Sequence, residues 1–248
     1  MILITGASSG IGEACARVFA EQHRSLILVA RRRERLESLT QDLSKKHGVE
    51  VVALELDVSD RAAVESFSNR HSDLLDRVEI LVNNAGLAQG MDFLQDAQLD
   101  DWDQMIDTNL KGLLYVTHAL LPRMKARGRG HVVNLGSVAG HSVYPKGGVY
   151  CATKHAVRAL TEALRLDLNG SGLRVTEISP GMVETEFSQV RLGDAQKAKA
   201  VYAGMTPLTA RDIAESIAWC VNRPSHVNIQ ELVIYPTDQA SPTLVSRK

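Results

Sequence analysis

Three observations predict an α/β fold, a doubly wound parallel sheet of seven strands with helices on both faces. Short apolar runs alternate with amphipathic stretches from one end of the chain to the other, the pattern of successive βαβ units. The first run leads directly into a glycine-rich turn that opens a helix. The length of 248 residues suits one large α/β unit, and no repeat, low-complexity tract or Pro/Ser-rich linker interrupts it, so residues 1–248 are read as a single domain.

Met1–Ile4 is the first strand, and Ile11–Gln22 carries helical spacing behind it. Ser25–Val29 and Val49–Leu54 follow as strands, separated by a helix over Arg33–Lys46. A helix over Arg61–Leu75 leads to the strand Ile80–Val82. Two long helices, Trp102–Ala126 and Tyr150–Leu168, flank the strand His131–Leu135. Both carry apolar residues on more than one side, Leu110, Leu114 and Leu121 in the first and Ala156, Leu160 and Ala163 in the second. Such helices need cover beyond their own sheet, which predicts a subunit interface. After the strand Arg174–Ile178, residues 181–207 are the most loop-like part of the chain. The helix Asp212–Val221, with Ile213, Ile217 and Val221 one turn apart, and the strand Leu232–Tyr235 complete the order. Ligands of open α/β sheets sit outside the carboxyl ends of the strands, so residues 181–207 are expected to form a lid.

The charge balance, 28 Lys+Arg against 29 Asp+Glu, argues against a nucleic-acid or membrane-surface partner, since both call for a basic surplus. Cys15, Cys151 and Cys220 lack any paired framework, and no apolar run approaches a membrane span. With a strand starting at Met1 there is no room for a leader, and the expectation is a cytoplasmic protein. The eight histidines show no ligand spacing, so no metal site is expected.

In Thr5–Gly12, TGASSGIG, Gly6 permits a tight turn, Gly10 lets the backbone approach a pyrophosphate, and Gly12 lets helix and strand pack closely. Ser8, Ser9 and Ile11 belong to the same loop. An acidic residue at the end of the second strand would bind a free ribose 2′-hydroxyl, but the chain reads Val29-Ala30-Arg31-Arg32-Arg33. Arg31, then Arg32, are best placed to hold a 2′-phosphate, which predicts NADP(H) over NAD(H). Tyr150 and Lys154, four apart on a helix, project from one face, and an ammonium near a phenol favours the phenolate. Ser137 stands just after a strand, thirteen residues before Tyr150.

Taken together with NNAG at Asn83–Gly86, Asn109, YCATK at Tyr150–Lys154 and PGMVET at Pro180–Thr185, these motifs resemble the short-chain dehydrogenase/reductase family over nearly the whole chain. The resemblance implies a Rossmann-type fold, Tyr150 as acid/base, and Ser137 as the group steadying the substrate oxygen. It also implies that Lys154 holds the nicotinamide ribose and lowers the Tyr150 pKa, while Asn109 holds a relay water. Asp57 and Val58 would meet the adenine, Asn83, Ala85 and Gly86 the ribose side, and Pro180, Gly181, Val183 and Thr185 the nicotinamide. Ser9 stands where many NADP-preferring relatives carry a basic residue. Relatives are commonly homotetramers built through the long helices.

The strings NNAGLAQG at Asn83–Gly90, MIDTNLKGL at Met105–Leu113, TEFSQVR at Thr185–Arg191 and YPTDQAS at Tyr235–Ser241 resemble the NADP-dependent 3-hydroxy acid dehydrogenases acting on serine, allo-threonine and similar small molecules. A desolvated substrate carboxylate needs a cation, and Arg191 is the first candidate, Lys146 the second. The alternatives are a 3-oxoacyl carrier-protein reductase, a general carbonyl reductase and a non-catalytic NADP-binding regulator. Intact Ser137, Tyr150, Lys154 and Asn109 count against the last.

Overall fold

The computed structural model describes residues 1–248. Seven strands form one wholly parallel sheet, β1 (Ile2–Thr5), β2 (Leu26–Ala30), β3 (Val51–Glu55), β4 (Ile80–Asn83), β5 (Gly130–Leu135), β6 (Leu173–Pro180) and β9 (Glu231–Ile234), ordered β3-β2-β1-β4-β5-β6-β9. The order reverses between β1 and β4, which opens a crevice at their carboxyl ends.

The period of two along each strand divides the core into two layers. Ile2, Ile4, Leu26, Leu28 and Val82 pack under α1 (Gly10–Glu21), α2 (Arg33–His47) and α10 (Ala210–Val221). Leu3, Ile27, Val29, Leu81 and Val132 face the other way, under α3 (Arg61–Arg70), α4 (Ser72–Leu75) and α6 (Leu113–Arg127). Helices therefore cover both faces, and the apolar strands are buried on two sides. Cys15, Cys151 and Cys220 are buried and unpaired, and no helix is long and apolar enough to cross a membrane.

Three elements differ from the sequence expectation. The Arg61–Leu75 helix breaks at His71 into α3 and α4. The Trp102–Ala126 helix starts earlier, as α5 (Leu99–Ile106), and passes through a π-helical stretch, Asp107–Gly112, before α6. Gly112 lies there against Val58, where a Cβ would come within 2.8 Å of the valine side chain.

Residues 181–207, expected as loop, contain β7 (Val183–Glu184), α8 (Glu186–Leu192) and α9 (Ala195–Ala200), and β7 pairs with β8 (Leu208–Thr209). The short helices form because Thr185 and Asp194 cap them, Thr185 accepting the Phe187 N–H and Asp194 the Gln196 and Lys197 N–H groups. α7 (Gly148–Asp167) carries Tyr150 and Lys154 in its first two turns.

Candidate active site

A cavity of about 610 Å³ runs along the carboxyl ends of the strands. At one end stand Gly6, Ser8, Ser9, Gly10, Ile11, Arg31, Arg32, Asp57 and Val58; at the other stand Ser137, Tyr144, Tyr150, Lys154 and Arg191. Ala85, Gly86, Pro180, Gly181, Val183 and Thr185 line the stretch between.

The glycine loop is shaped for close approach. Gly6 has φ +66°, and a Cβ there would lie 2.9 Å from the Ala85 Cα. Gly12 does not reach the cavity; a Cβ on it would sit 2.5 Å from the Gly6 carbonyl oxygen, which is the close helix–strand packing its position predicts. The arginines divide their work. Arg32 lies across the loop, its Nε donating to Ser8 Oγ at 3.1 Å and Nη2 to Ser9 Oγ at 2.5 Å. Arg31 is the more exposed, 3.8 Å from Asp57. Arg32, not Arg31, is thus the residue docked on the loop, with Ser9 supporting it. The two hydroxyls, the glycine backbone and the Arg31 and Arg32 guanidinium groups form a donor set that fits the phosphates of a dinucleotide.

Asn83 departs from its expected place on the ribose side. It is buried and donates to Thr117 Oγ1 and Asn134 Oδ1, both at 2.9 Å, because the last residue of β4 points into the core. Its neighbour Asn84 lines the cavity instead, donating from Nδ2 to the Thr5 carbonyl at 2.8 Å and bracing the glycine turn. The doubled asparagine was the available signal; which of the pair faces the loop depends on where β4 ends.

Tyr150 is buried, with the Ser137 hydroxyl beside its phenol. Burial raises the phenol well above its ordinary value, Tyr144 adds to this, and Ser137 and Arg191 oppose it. Lys154 is also buried, pushed down to about 8 by desolvation and partly restored by Glu177. Its Nζ donates to the Leu135 carbonyl at 2.7 Å and stands 5.9 Å from the Tyr150 ring centroid. The expected lowering of the phenol by Lys154 is therefore outweighed in this arrangement by the burial of both groups.

Asn109 is buried, its Oδ1 accepting from the Leu87 N–H at 2.8 Å and its Nδ2 donating to the Leu87 carbonyl and Thr153 Oγ1. It ties the π-helical stretch to the loop after β4 and to α7.

Arg191 lines the cavity beside Tyr144 and Tyr150. Its guanidinium lies 5.6 Å from the ring centroids of both Tyr144 and Tyr150 and donates to Tyr144 Oη at 2.9 Å. Lys146 does not share that place: its Nζ sits 4.9 Å over the Phe93 ring, beside a small side pocket, because the backbone turns there through φ +64°. Tyr144 carried no motif, and only the folded loop brings it to Arg191. His141 lies outside the cavity, its Nε2 2.9 Å from Glu231.

Comparison with known proteins agrees with this geometry. Residues 1–195 match the family model described as short chain dehydrogenase. The chain is 50% identical over 242 residues to sulfoacetaldehyde reductase 2 of Chromohalobacter salexigens, covering 97% of this chain and 95% of the relative. It is 45% identical to the NADP-dependent 3-hydroxy acid dehydrogenase YdfG of Salmonella typhimurium, covering 97% and 96%. Among solved structures, the closed form of serine dehydrogenase complexed with NADP+ superposes with a TM-score of 0.92 at 43% identity, covering 100% of this chain and 99% of that one. The chain belongs to the short-chain dehydrogenase family.

Proposed function

We propose that the protein is an NADP-dependent oxidoreductase interconverting a short, anionic secondary alcohol, of the 3-hydroxy acid kind typified by serine and allo-threonine, with its carbonyl. The observation that carries this reading is the position of Arg191. A cation 5.6 Å from the Tyr150 ring leaves room for a small molecule to touch both, its anionic group on the guanidinium and its oxygen on the phenol.

When bound, the dinucleotide supplies the hydride acceptor or donor. Everything else falls to the chain. Ser137 donates to or accepts from the substrate oxygen and holds it against Tyr150, which takes the hydroxyl proton on oxidation and returns one on reduction. Lys154, anchored on the Leu135 carbonyl, supplies positive charge below the phenol. Arg32 with Ser8 and Ser9, and Arg31 at the rim, would hold the 2′-phosphate, and residues 181–207 act as the lid.

A second anion is favoured by a specific likeness: the relative at 50% identity is named for sulfoacetaldehyde, and a guanidinium accepts a sulfonate as readily as a carboxylate. We further propose a homotetramer and a cytoplasmic setting. Support for the first is an exposed outer face on α7, Ala152, Ala159, Ala163 and Leu166, with Leu114 exposed on α6. The three buried, unpaired cysteines suit the second.

One absorbance assay tests the reading. Purified protein is offered NADP(H) and NAD(H) with serine, allo-threonine, 3-hydroxybutyrate, sulfoacetaldehyde, an acyl-carrier ketone and a neutral ketone. Turnover with NADP(H) on the short anionic substrates is expected. Preference for the acyl-carrier or the neutral ketone would replace this substrate class, and silence on every substrate despite NADPH binding would make the protein a sensor.

A further inference from the structure

The seven-residue helix α8 is pinned at both ends to parts of the chain far away in sequence. At its first residue, Glu186 presents one carboxylate oxygen to each of two arginines, Oε2 to Arg32 at 2.9 Å and Oε1 to Arg35 at 2.7 Å. At its last turn, Arg191 donates from Nε to the Gly90 carbonyl at 3.2 Å, and the Gly90 N–H donates back to the Arg191 carbonyl at 3.1 Å. Between these ends the helix spans the cavity, from the arginines at the glycine loop to the cation beside Tyr150. Thr185, which caps the helix, lies 3.4 Å from where a Cβ on Gly10 would be, so the start of α8 rests on the glycine loop itself.

We infer that Glu186 is a positioning residue for substrate recognition: its clamp on Arg32 and Arg35 holds α8 in the register that keeps Arg191 beside Tyr150. The inference rests on the proposed role of Arg191 and adds a link between the two ends of the cavity. Glu186 touches no reacting atom. Through it, order at the cofactor-side arginines is passed along one rigid turn and a half of helix to the group that takes the substrate anion.

Arg35 makes the idea testable, because it holds half of the clamp but does not line the cavity. Arg35→Ala therefore weakens the clamp without touching the cofactor cradle. The experiment compares wild type, R35A, E186Q, E186D and the R35A/E186Q double variant at saturating NADPH. It measures KM and kcat on an anionic and a neutral carbonyl substrate, together with hydrogen exchange of the amides of residues 186–192 in the absence of substrate.

The clamp predicts faster exchange in R35A and E186Q, and a KM for the anionic substrate raised about three- to tenfold in both. It also predicts a kcat and a neutral-substrate KM within about twofold of wild type, partial recovery in E186D, and a double variant no worse than E186Q. These factors are those expected for loss of a half-exposed charge pair. Unchanged exchange in both variants overturns the inference, as does an equal rise in KM on both substrates. So does an E186Q effect that R35A lacks, since Glu186 would then act on the cofactor side alone. A wild-type enzyme without preference for anionic substrates contradicts the proposed function itself, and this is visible before any variant is compared.

Discussion

Arg191 and Tyr150 lie on different elements, α8 and α7, and meet only because α8 folds back over the cavity. Replacing the guanidinium leaves a substrate anion without its charged partner, a loss of about 1.5–3 kcal/mol for a charge-assisted hydrogen bond. Arg191→Ala is therefore expected to lower kcat/KM for hydroxy acids roughly ten- to a hundredfold and for neutral alcohols far less. Steady-state kinetics on the two classes checks this, and equal losses would remove Arg191 from the role. Ser137, Tyr150 and Lys154, which line one wall of the cavity, were legible in the sequence because each sits in a short motif whose local spacing places it. Glu186 was not, since its value comes from Arg32, 154 residues away. Asn83 shows the opposite failure: the motif names the residue, but the side-chain direction follows from where the strand ends.

The strand pair β5·β6 carries a histidine that the fold keeps neutral. His131 is buried and donates from Nε2 to Thr176 Oγ1 at 2.7 Å, because that hydroxyl already gives its own proton to the Ile229 carbonyl. Its Nδ1 has no partner. Burial, with Arg174 adding repulsion, pushes the imidazole down to about 3, against about 6.5 in the unfolded chain. Below pH 6.5 the unfolded state binds a proton that the native state refuses, so the stability is full above that pH and is lost as pH falls toward 3. The slope is at most about 1.4 kcal/mol per pH unit from this residue. Denaturant midpoints of His131→Asn against wild type between pH 7 and 4 are expected to show a shallower decline in the variant; parallel curves would refute it. Among the elements, strands and long helices were legible from period and apolarity. The helices of residues 181–207 were not, because their caps, Thr185 and Asp194, stand among residues with no helical apolar face.

Across the whole molecule, the near-neutral charge conceals a local concentration. Arg31, Arg32 and Arg35 gather at the end of β2, and Glu186 reaches them from the far side of the cavity. The sheet order and its reversal beside β1 were legible as a class of fold, since alternating βαβ units leave few other arrangements. The single cavity that joins the arginines to Tyr150 belongs to the assembled sheet and lid, and only the pieces of its wall can be read from motifs. On the proposed function, this cavity brings a substrate oxygen to the Tyr150 phenol while the cofactor lies along the glycine loop. The most direct test is Tyr150→Phe, with turnover measured on the best hydroxy acid and NADPH affinity measured by nicotinamide fluorescence. Turnover is expected to fall by at least about a thousandfold while NADPH affinity stays within about threefold, as removal of a general acid/base from an intact site requires. Substantial residual turnover with affinity intact would contradict it.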